Sequence, residues 1–213
     1  DKRGLDKMLD EITRDKTGLL GMVDRALAAS TPKDISVTAT DIINRLRQSA
    51  QMVDREADEF FLALSFFLQD FSENRSSFAQ QTRLTTAVRT QPGYSDITLA
   101  WENLHQPLIA IVGGYNDILK LADKAIADHD VDDGDELGQA LKDNALGWET
   151  AVSNIDRIIA KPSDDDITWA EVYRDKVSLH SAPLHIGPLV EEHIFAANET
   201  VVLTSATLRT ASA

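Results

Sequence analysis

The sequence predicts a mainly α-helical fold, an antiparallel bundle of long coiled-coil-like helices followed by a small β-hairpin and a strand that returns to an α/β core. Three observations predict it. Apolar residues recur every three or four positions through most of residues 1–166. From Ile167 the apolar period changes to two. Near the end, the apolar run at residues 201–203, which begins with two β-branched valines, passes into small hydroxyl residues, as a buried parallel strand does at the carboxyl edge of an α/β sheet.

The first two helical segments cover residues 5–29 and about 38–71. Gly18 and Gly21 weaken the first segment, and Ser30-Thr31-Pro32 ends it. In the second, Thr38 is the expected cap, with Asp41 three residues on as in a capping box. Its apolar seam holds a heptad spacing for about four repeats. The seam consists of Ile43, Leu46, Ala50, Val53, Ala57, Phe60, Leu64, Phe67 and Phe71.

The third and fourth helical segments cover residues 96–127 and 137–159. Pro107 lies inside the third segment, and an interior proline removes a backbone hydrogen bond. We therefore expect a kink near His105 or two helices that meet there. The two segments are joined by the acidic loop, residues 128–136, and Lys161-Pro162-Ser163 closes the fourth.

The remaining residues predict a hairpin, a short helix and the terminal strand. Alternation over residues 167–180, with a turn at 174–176, is typical of a β-hairpin. Gly187-Pro188 opens a short helix, because proline is favoured at the first helical position. We expect Leu189, Val190, Ile194 and Phe195 to face a core.

Composition narrows the functional classes. The 213 residues carry a formal net charge of −14, so phosphates repel the chain as a whole and any nucleic-acid contact must be local. The absence of cysteine excludes disulfides, thiolate metal sites and a cysteine nucleophile within these residues. The chain has no apolar signal core at its start and no stretch that reaches a membrane span, so we expect a soluble, cytoplasmic protein.

The motifs of metal binding and catalysis are missing. The acidic loop places Asp128, Asp130 and Asp132 at calcium-loop spacing, but Asp133 replaces the required glycine and Gln139 the required glutamate. A solvated acidic turn therefore fits better, and we predict no metal site. Neither an HExxH, a GxSxG nor a GxxxxGK[ST] motif is present, so we expect no catalysis from these residues alone.

A basic island interrupts the acidic chain at residues 71–95. Two interpretations stay open for Arg75, Arg83 and Arg89. With Phe78 and Tyr94 nearby, they could bind a single strand through phosphates and base stacking. Alternatively, they lie on a surface loop and pair with the acidic third and fourth helices, where residues 102–166 hold fifteen acids against five bases.

The end of the chain carries the most specific motif. Thr204-Ser205-Ala206-Thr207-Leu208 follows an apolar strand, and Ser181-Ala-Pro-Leu-His-Ile-Gly-Pro-Leu lies upstream of it. Residues 169–210 resemble the DinG-like branch of the XPD-type DNA helicases, in which the Ser-Ala-Thr-Leu box is helicase motif III. More loosely, Arg83-Leu84-Thr85 with Arg89-Thr90-Gln91-Pro92 resembles the arch insertion of that family.

The resemblance implies a helicase fragment. Residues 1–166 would be the arch insertion, and residues 167–213 the hairpin, short helix and motif III strand of the first motor domain. The Ser205 and Thr207 hydroxyls would couple the ATP site to domain movement by bonding motif II carboxylates, and Thr204 would steady the turn. The parent would bind ATP, Mg and single-stranded DNA in repair or replication, and we expect neither ATP nor Mg on the fragment itself.

A different class of protein also fits. The chain could be a non-enzymatic helical interaction or scaffold module, with the terminal strand merely closing a small sheet. The DNA that encodes the residues before Asp1 separates the two hypotheses. The helicase hypothesis requires a phosphate-loop lysine and a DEAH-like box upstream.

Overall fold

The computed structural model describes residues 1–14, 17–69, 80–173 and 176–202. Within them the chain is mainly helical and contains a three-stranded antiparallel sheet, which agrees with the predicted fold class at that level. The elements are α1 Lys2–Thr13, α2 Leu19–Ser30, α3 Lys33–Gln69, β1 Gln80–Arg83, α4 Thr86–Arg89, α5 Tyr94–Asp128, α6 Gly134–Ile159, β2 Asp166–Tyr173, β3 Lys176–Pro183, α7 Gly187–Val190 and a π-helical turn Glu191–Phe195.

The core lies where α3 packs against α5. Every described member of the predicted α3 seam is buried, and Val53, Phe60 and Leu64 have no exposed surface. Phe60 also contacts Trp101 of α5, with ring centroids 5.9 Å apart. Each buried side chain of this size contributes roughly 1.5–3 kcal/mol. The predicted heptad seam is therefore confirmed as the centre of the bundle.

Of the two alternatives expected near Pro107, two separate helices are ruled out. α5 runs as one helix from Tyr94 to Asp128, with Pro107 buried in its interior. The seam around the proline explains the continuity, because Leu104, Leu108 and the rest of that face are buried against the other helices. That burial exceeds the roughly 3 kcal/mol that an interior proline costs.

Two predicted helix boundaries were wrong. The first segment is divided into α1 and α2, and Gly18 forms the N-cap of α2. Thr38 is not a cap, because α3 begins one turn earlier at Lys33. The Pro32 carbonyl accepts from the backbone N–H groups of Ile35 and Ser36, which starts the helix there. The Thr38 hydroxyl instead donates to the carbonyl of Asp34 at 2.7 Å.

The sheet has the order β1-β2-β3, with both pairs antiparallel. The predicted hairpin is confirmed as β2 and β3, in which Trp169 pairs with His180. Ala170 and Val177 are buried and belong to the core that the helices form. β1 was not predicted, because its four residues are all polar and offer no apolar alternation. β1 pairs with β2, so hydrogen bonds join a strand of residues 1–166 to the predicted C-terminal unit.

Residues 184–202 differ from the expectation in one respect. The short helix at Gly187-Pro188 is present as α7, but Leu189, Ile194 and Phe195 are exposed rather than inward-facing. Val202 is exposed as well, and the rest of the predicted strand, residues 203–208, lies outside the described residues. Among the described helices, none combines the length and apolar character needed to cross a membrane.

Candidate nucleic-acid interface

Of the two basic-island arginines within the described residues, Arg89 makes the more extensive contacts. It lies at the last position of α4, whose N-cap Thr85 accepts a hydrogen bond from the backbone N–H of Val88. Its guanidinium donates to the acceptors Leu84 O at 3.1 Å, Ile158 O at 2.7 Å, Ile159 O at 3.3 Å, Thr168 Oγ1 at 3.1 Å and Tyr94 Oη. One side chain thus joins α4, α5, α6 and β2.

The position of Arg89 has an electrostatic reason. Ile158 and Ile159 lie in the last turn of α6, where carbonyl groups have no partner inside the helix and the helix dipole is negative. A guanidinium satisfies such carbonyls and places its positive charge where the dipole favours it. Arg89 also lies 5.5 Å from the centroid of the Tyr94 ring. Burial raises the pKa of Tyr94, and the charge of Arg89 partly opposes that rise.

This arrangement bears on both interpretations of the basic island. Arg89 contacts the acidic α5–α6 pair, but through backbone carbonyls of α6 rather than through carboxylates. Its donors are used within the chain, so the predicted phosphate contact would have to compete with these bonds. Arg75 lies outside the described residues.

Arg83 has a different environment. It ends β1, and its side chain is exposed and makes no hydrogen bond or ion pair in the part of the chain that the structure describes. The strand register pairs Arg83 with Trp169, and Trp169 with His180. Directly paired residues of antiparallel strands place their side chains on the same face. Arg83, Trp169 and His180 therefore form one row across all three strands, which we call the RWH row.

Two of the three side chains in the RWH row are stacked aromatic rings. The rings of Trp169 and His180 lie parallel within 6°, with centroids 5.0 Å apart. Both side chains are half-buried. The indole Nε1 of Trp169 and the Nε2 of His180 are buried nitrogen atoms without a hydrogen-bond partner. Unpaired buried nitrogens are uncommon in folded proteins, and each calls for an explanation.

The next row of the same face carries an acid. Gln81 of β1 pairs with Glu171 of β2, and its amide donates to the Glu171 carboxylate at 2.8 Å.

Glu171 also lines a groove of about 780 Å³ between α1, α3 and the hairpin. That groove mixes the bases Lys2, Arg3 and Lys176 with four acids, so its charge favours neither anions nor cations. The acids are Asp1, Asp6, Asp58 and Glu171.

The other predicted site residues lie beyond the described part of the chain. Thr204, Ser205 and Thr207 belong to residues 203–213, so their geometry is not described. Over the described ranges, no group of three or more histidine, aspartate or glutamate side chains is arranged to hold a metal ion. The acidic loop is within those ranges, and Asp128, Asp130 and Asp132 are exposed to solvent there.

Sequence reasoning missed Trp169 and His180 as site residues. A partial signal was present, because the register that pairs Tyr173 with Lys176 places residue 169 opposite residue 180, whereas the predicted three-residue turn at 174–176 would place it opposite residue 181. The position of Arg83 beside them had no such signal, since β1 was not predicted.

The chain was compared with protein-family models, with curated proteins and with solved structures, and none of them matches it. The fold and the site therefore define the class only coarsely, as a helical bundle with a three-stranded antiparallel sheet and an exposed apolar C-terminal stretch.

Proposed function

We propose that this chain is the arch-type insertion and motif III strand of an ATP-dependent DNA helicase of the DinG-like, XPD-type family. Two features support the proposal. The sequence of residues 169–210 resembles the block that precedes and includes motif III in that family. The stretch of residues 184–202 that lies within this block exposes large apolar side chains instead of burying them.

The exposed apolar stretch is the observation that carries the proposal. Its exposed members are Leu184, Ile186, Leu189, Ile194, Phe195 and Val202, with 39% to 80% of each side chain accessible. Six large apolar residues within nineteen positions are more than the scattered single residues of an ordinary surface. When another surface covers such a stretch, the burial of its apolar side chains lowers the free energy. In the proposed parent, the first motor domain is that surface.

Motif III would couple the nucleotide state of the ATP site to the movement of the motor domains. The hydroxyls of Ser205 and Thr207 would bond the motif II carboxylates, which respond to the γ-phosphate, and Thr204 would steady the turn. ATP and Mg would be held by the rest of the parent. Single-stranded DNA would pass beside the helical bundle.

The acidic α5–α6 connection would guide the strand by repulsion. Asp128, Asp132 and the other acids of residues 128–136 are exposed, so they repel phosphates from that end of the bundle. Reversal of Asp132, Asp135 and Glu136 to lysine should increase DNA binding that does not lead to unwinding. If off-pathway binding by the parent stays the same, the acidic connection has no such role.

The open reading frame gives the first test. The helicase proposal requires a phosphate-loop lysine and a DEAH-like box upstream of Asp1, and their absence from the complete reading frame would refute it. In the full-length parent, Thr207→Ala should lower unwinding more than ATP hydrolysis, because it removes coupling rather than the nucleotide site. Thr150→Ala, which removes an exposed hydroxyl from α6, is the matched control and should change neither rate. Equal losses of both rates for Thr207→Ala would argue against coupling.

The exposed apolar stretch also favours the second candidate, a non-enzymatic interaction module. In that case residues 184–202 would pack against a partner protein rather than against a motor domain of the same chain. A reading frame without nucleotide-binding motifs would favour this function over the first.

A further inference from the structure

We infer that the RWH row is a contact site for single-stranded DNA, with a base stacked on the Trp169–His180 pair and a phosphate bound by Arg83. The row itself is an observation of the strand register and the ring geometry. The choice of DNA over RNA rests on the proposed function, whereas the choice of a single strand rests on the site.

The geometry of the rings favours an added base. The centroid distance of 5.0 Å matches the spacing of neighbouring strands, so the two parallel rings stack along the direction that crosses the sheet. β3 is an edge strand of the described sheet, so no further strand of that sheet continues the stack beyond His180. A flat, unstacked base can occupy that position, and base–aromatic stacking tolerates any base.

The unpartnered nitrogens provide a second reason. Trp169 Nε1 is a donor, and His180 Nε2 is a donor or an acceptor according to its proton. Buried groups of this kind are destabilising until they find a partner. The edge atoms of a base and the oxygens of a phosphate provide such partners once a shift of the two rings exposes these nitrogens, which are shielded from solvent in the free chain. A purely apolar ligand would leave both nitrogens unpaired.

Arg83 provides the charge. Its guanidinium is exposed and, within the described ranges, has no acid or carbonyl partner, unlike that of Arg89. A free guanidinium matches phosphate oxygens with two parallel hydrogen bonds. Arg83 lies two strand spacings from His180, roughly 10 Å, which separates a phosphate contact from a stacked base.

The surroundings limit the ligand to a short single strand. Duplex DNA keeps its bases stacked on one another and offers no free ring face to His180. The net charge of −14 and the nearby carboxylate of Glu171 oppose a long phosphate path. With one phosphate contact, the logarithm of the affinity should fall by about 0.7 for each tenfold rise in salt.

The test uses the 213-residue chain and a fluorescein-labelled oligothymidylate in low salt, with binding measured by anisotropy. His180→Ala should weaken binding about tenfold, because it removes the ring next to the base. Arg83→Ala should weaken binding several-fold. It should also reduce the slope of log affinity against log salt concentration by about 0.7. The matched control is Arg45→Ala, which removes an exposed arginine from α3 and should change neither quantity. Circular dichroism verifies that each variant is folded.

Tryptophan fluorescence gives an independent measurement on the same chain. Trp101 and Trp148 are buried in the bundle, so Trp169 is the tryptophan that a bound base can quench. The oligonucleotide should quench the wild-type fluorescence, and Trp169→Phe should abolish that quenching while it keeps a ring for stacking.

Four outcomes would overturn the inference. They are no anisotropy change with the wild-type chain, equal losses from Arg83→Ala and Arg45→Ala, duplex binding as tight as single-strand binding, and tighter binding of an RNA oligonucleotide of the same sequence. None of these depends on motifs upstream of Asp1. Failure of the RWH row and failure of the helicase proposal are therefore distinguishable.

Discussion

The Arg89 Nη2 donates a hydrogen bond of 2.7 Å to the carbonyl oxygen of Ile158, a residue 69 positions further along the chain. The same guanidinium nitrogen also donates to Thr168 Oγ1 at 3.1 Å. Arg89 thus connects the end of α6 to β2, and β2 is the central strand of the sheet. Arg89 therefore helps to hold β2, which carries Trp169 of the RWH row, against the bundle.

Arg89→Ala should destabilise the chain by about 2–4 kcal/mol, because it leaves the last carbonyls of α6 without their donor and removes several bonds to a charged group. Arg89→Lys should recover only part of the loss, since an ammonium cannot reproduce the planar fork. Urea unfolding followed by circular dichroism measures both. Arg55→Ala is the control, as Arg55 is exposed and, within the described part of the chain, bonds only its sequence neighbour Glu56, so it should cost less than about 0.5 kcal/mol. A loss for Arg89→Ala no larger than that of the control would contradict the connecting role.

Two adjacent glycines of α5 should respond to alanine with opposite signs. A Cβ at Gly114 would lie 2.6 Å from Leu46 Cδ2, and Leu46 is buried in the α3 seam and has little room to move. Gly114→Ala should therefore destabilise the chain by about 1–3 kcal/mol. A Cβ at Gly113 meets nothing within 4 Å, so Gly113→Ala should stabilise it by about 0.5–1 kcal/mol. The same urea experiment compares the pair, and equal effects would show that α3 and α5 do not approach closely at Gly114.

The α3 seam illustrates what could be predicted from the sequence. Burial of Ile43, Phe60 and Leu64 followed from their spacing, since one face of a helix must be apolar to pack. The hairpin followed in the same way from alternation and a short turn, although β3 begins at Lys176, which the prediction placed in the turn. Both are local patterns that need no knowledge of distant residues.

The contacts of Arg89 and the strand β1 could not be predicted in this way. The carbonyls of Ile158 and Ile159 are backbone groups, which carry no signature in the sequence. β1 is polar and is defined by its pairing with β2, about ninety residues away, rather than by its own composition. At Thr38 the error is of the opposite kind, since a local capping pattern predicted a helix start that does not occur. The helix begins at Lys33, so Thr38 lies inside it.

The connection between α6 and β2 should give a measurable pH dependence. Arg157 donates two hydrogen bonds to the Asp166 carboxylate, and this guanidinium holds the pKa of Asp166 below its ordinary value. A carboxyl with a lowered pKa in the folded state stabilises the fold above its unfolded pKa, and the contribution disappears as the pH falls through the folded pKa. Wild type should therefore lose about 0.5–1 kcal/mol between neutral and acidic pH through this pair, with solvent screening included.

Asp166→Asn tests that pH dependence. The variant should be less stable than wild type near neutral pH, and the difference should shrink as the pH falls through the lowered pKa of folded Asp166, because the wild-type side chain then also loses its charge. Thermal unfolding over a pH series measures it. Asp164→Asn, a change of an exposed carboxylate in the same connection, is the control and should follow wild type at every pH. A difference between Asp166→Asn and wild type that stays constant with pH would show that the ion pair is not its cause.

The exposed apolar stretch should contribute little to the stability of the 213-residue chain. Ile186 has 62% of its surface exposed, whereas Ile43 in the α3 seam has 1%. Ile43→Ala should cost about 2–5 kcal/mol, because it opens a cavity in a packed core. The identical substitution Ile186→Ala should change the stability by less than about 0.5 kcal/mol, since this side chain is largely exposed to water in both the unfolded and the folded state.

The same two variants separate stability from docking. Ile186→Ala should lower the binding of a hydrophobic dye such as ANS to the folded chain, since it reduces the area of an apolar surface that is already exposed to water. In the proposed full-length parent it should lower thermal stability instead, because there the stretch is covered by the motor domain. A cost of 2 kcal/mol or more in the 213-residue chain itself would mean that residues 184–202 are already packed, and the proposal that a larger body covers them would lose its main support.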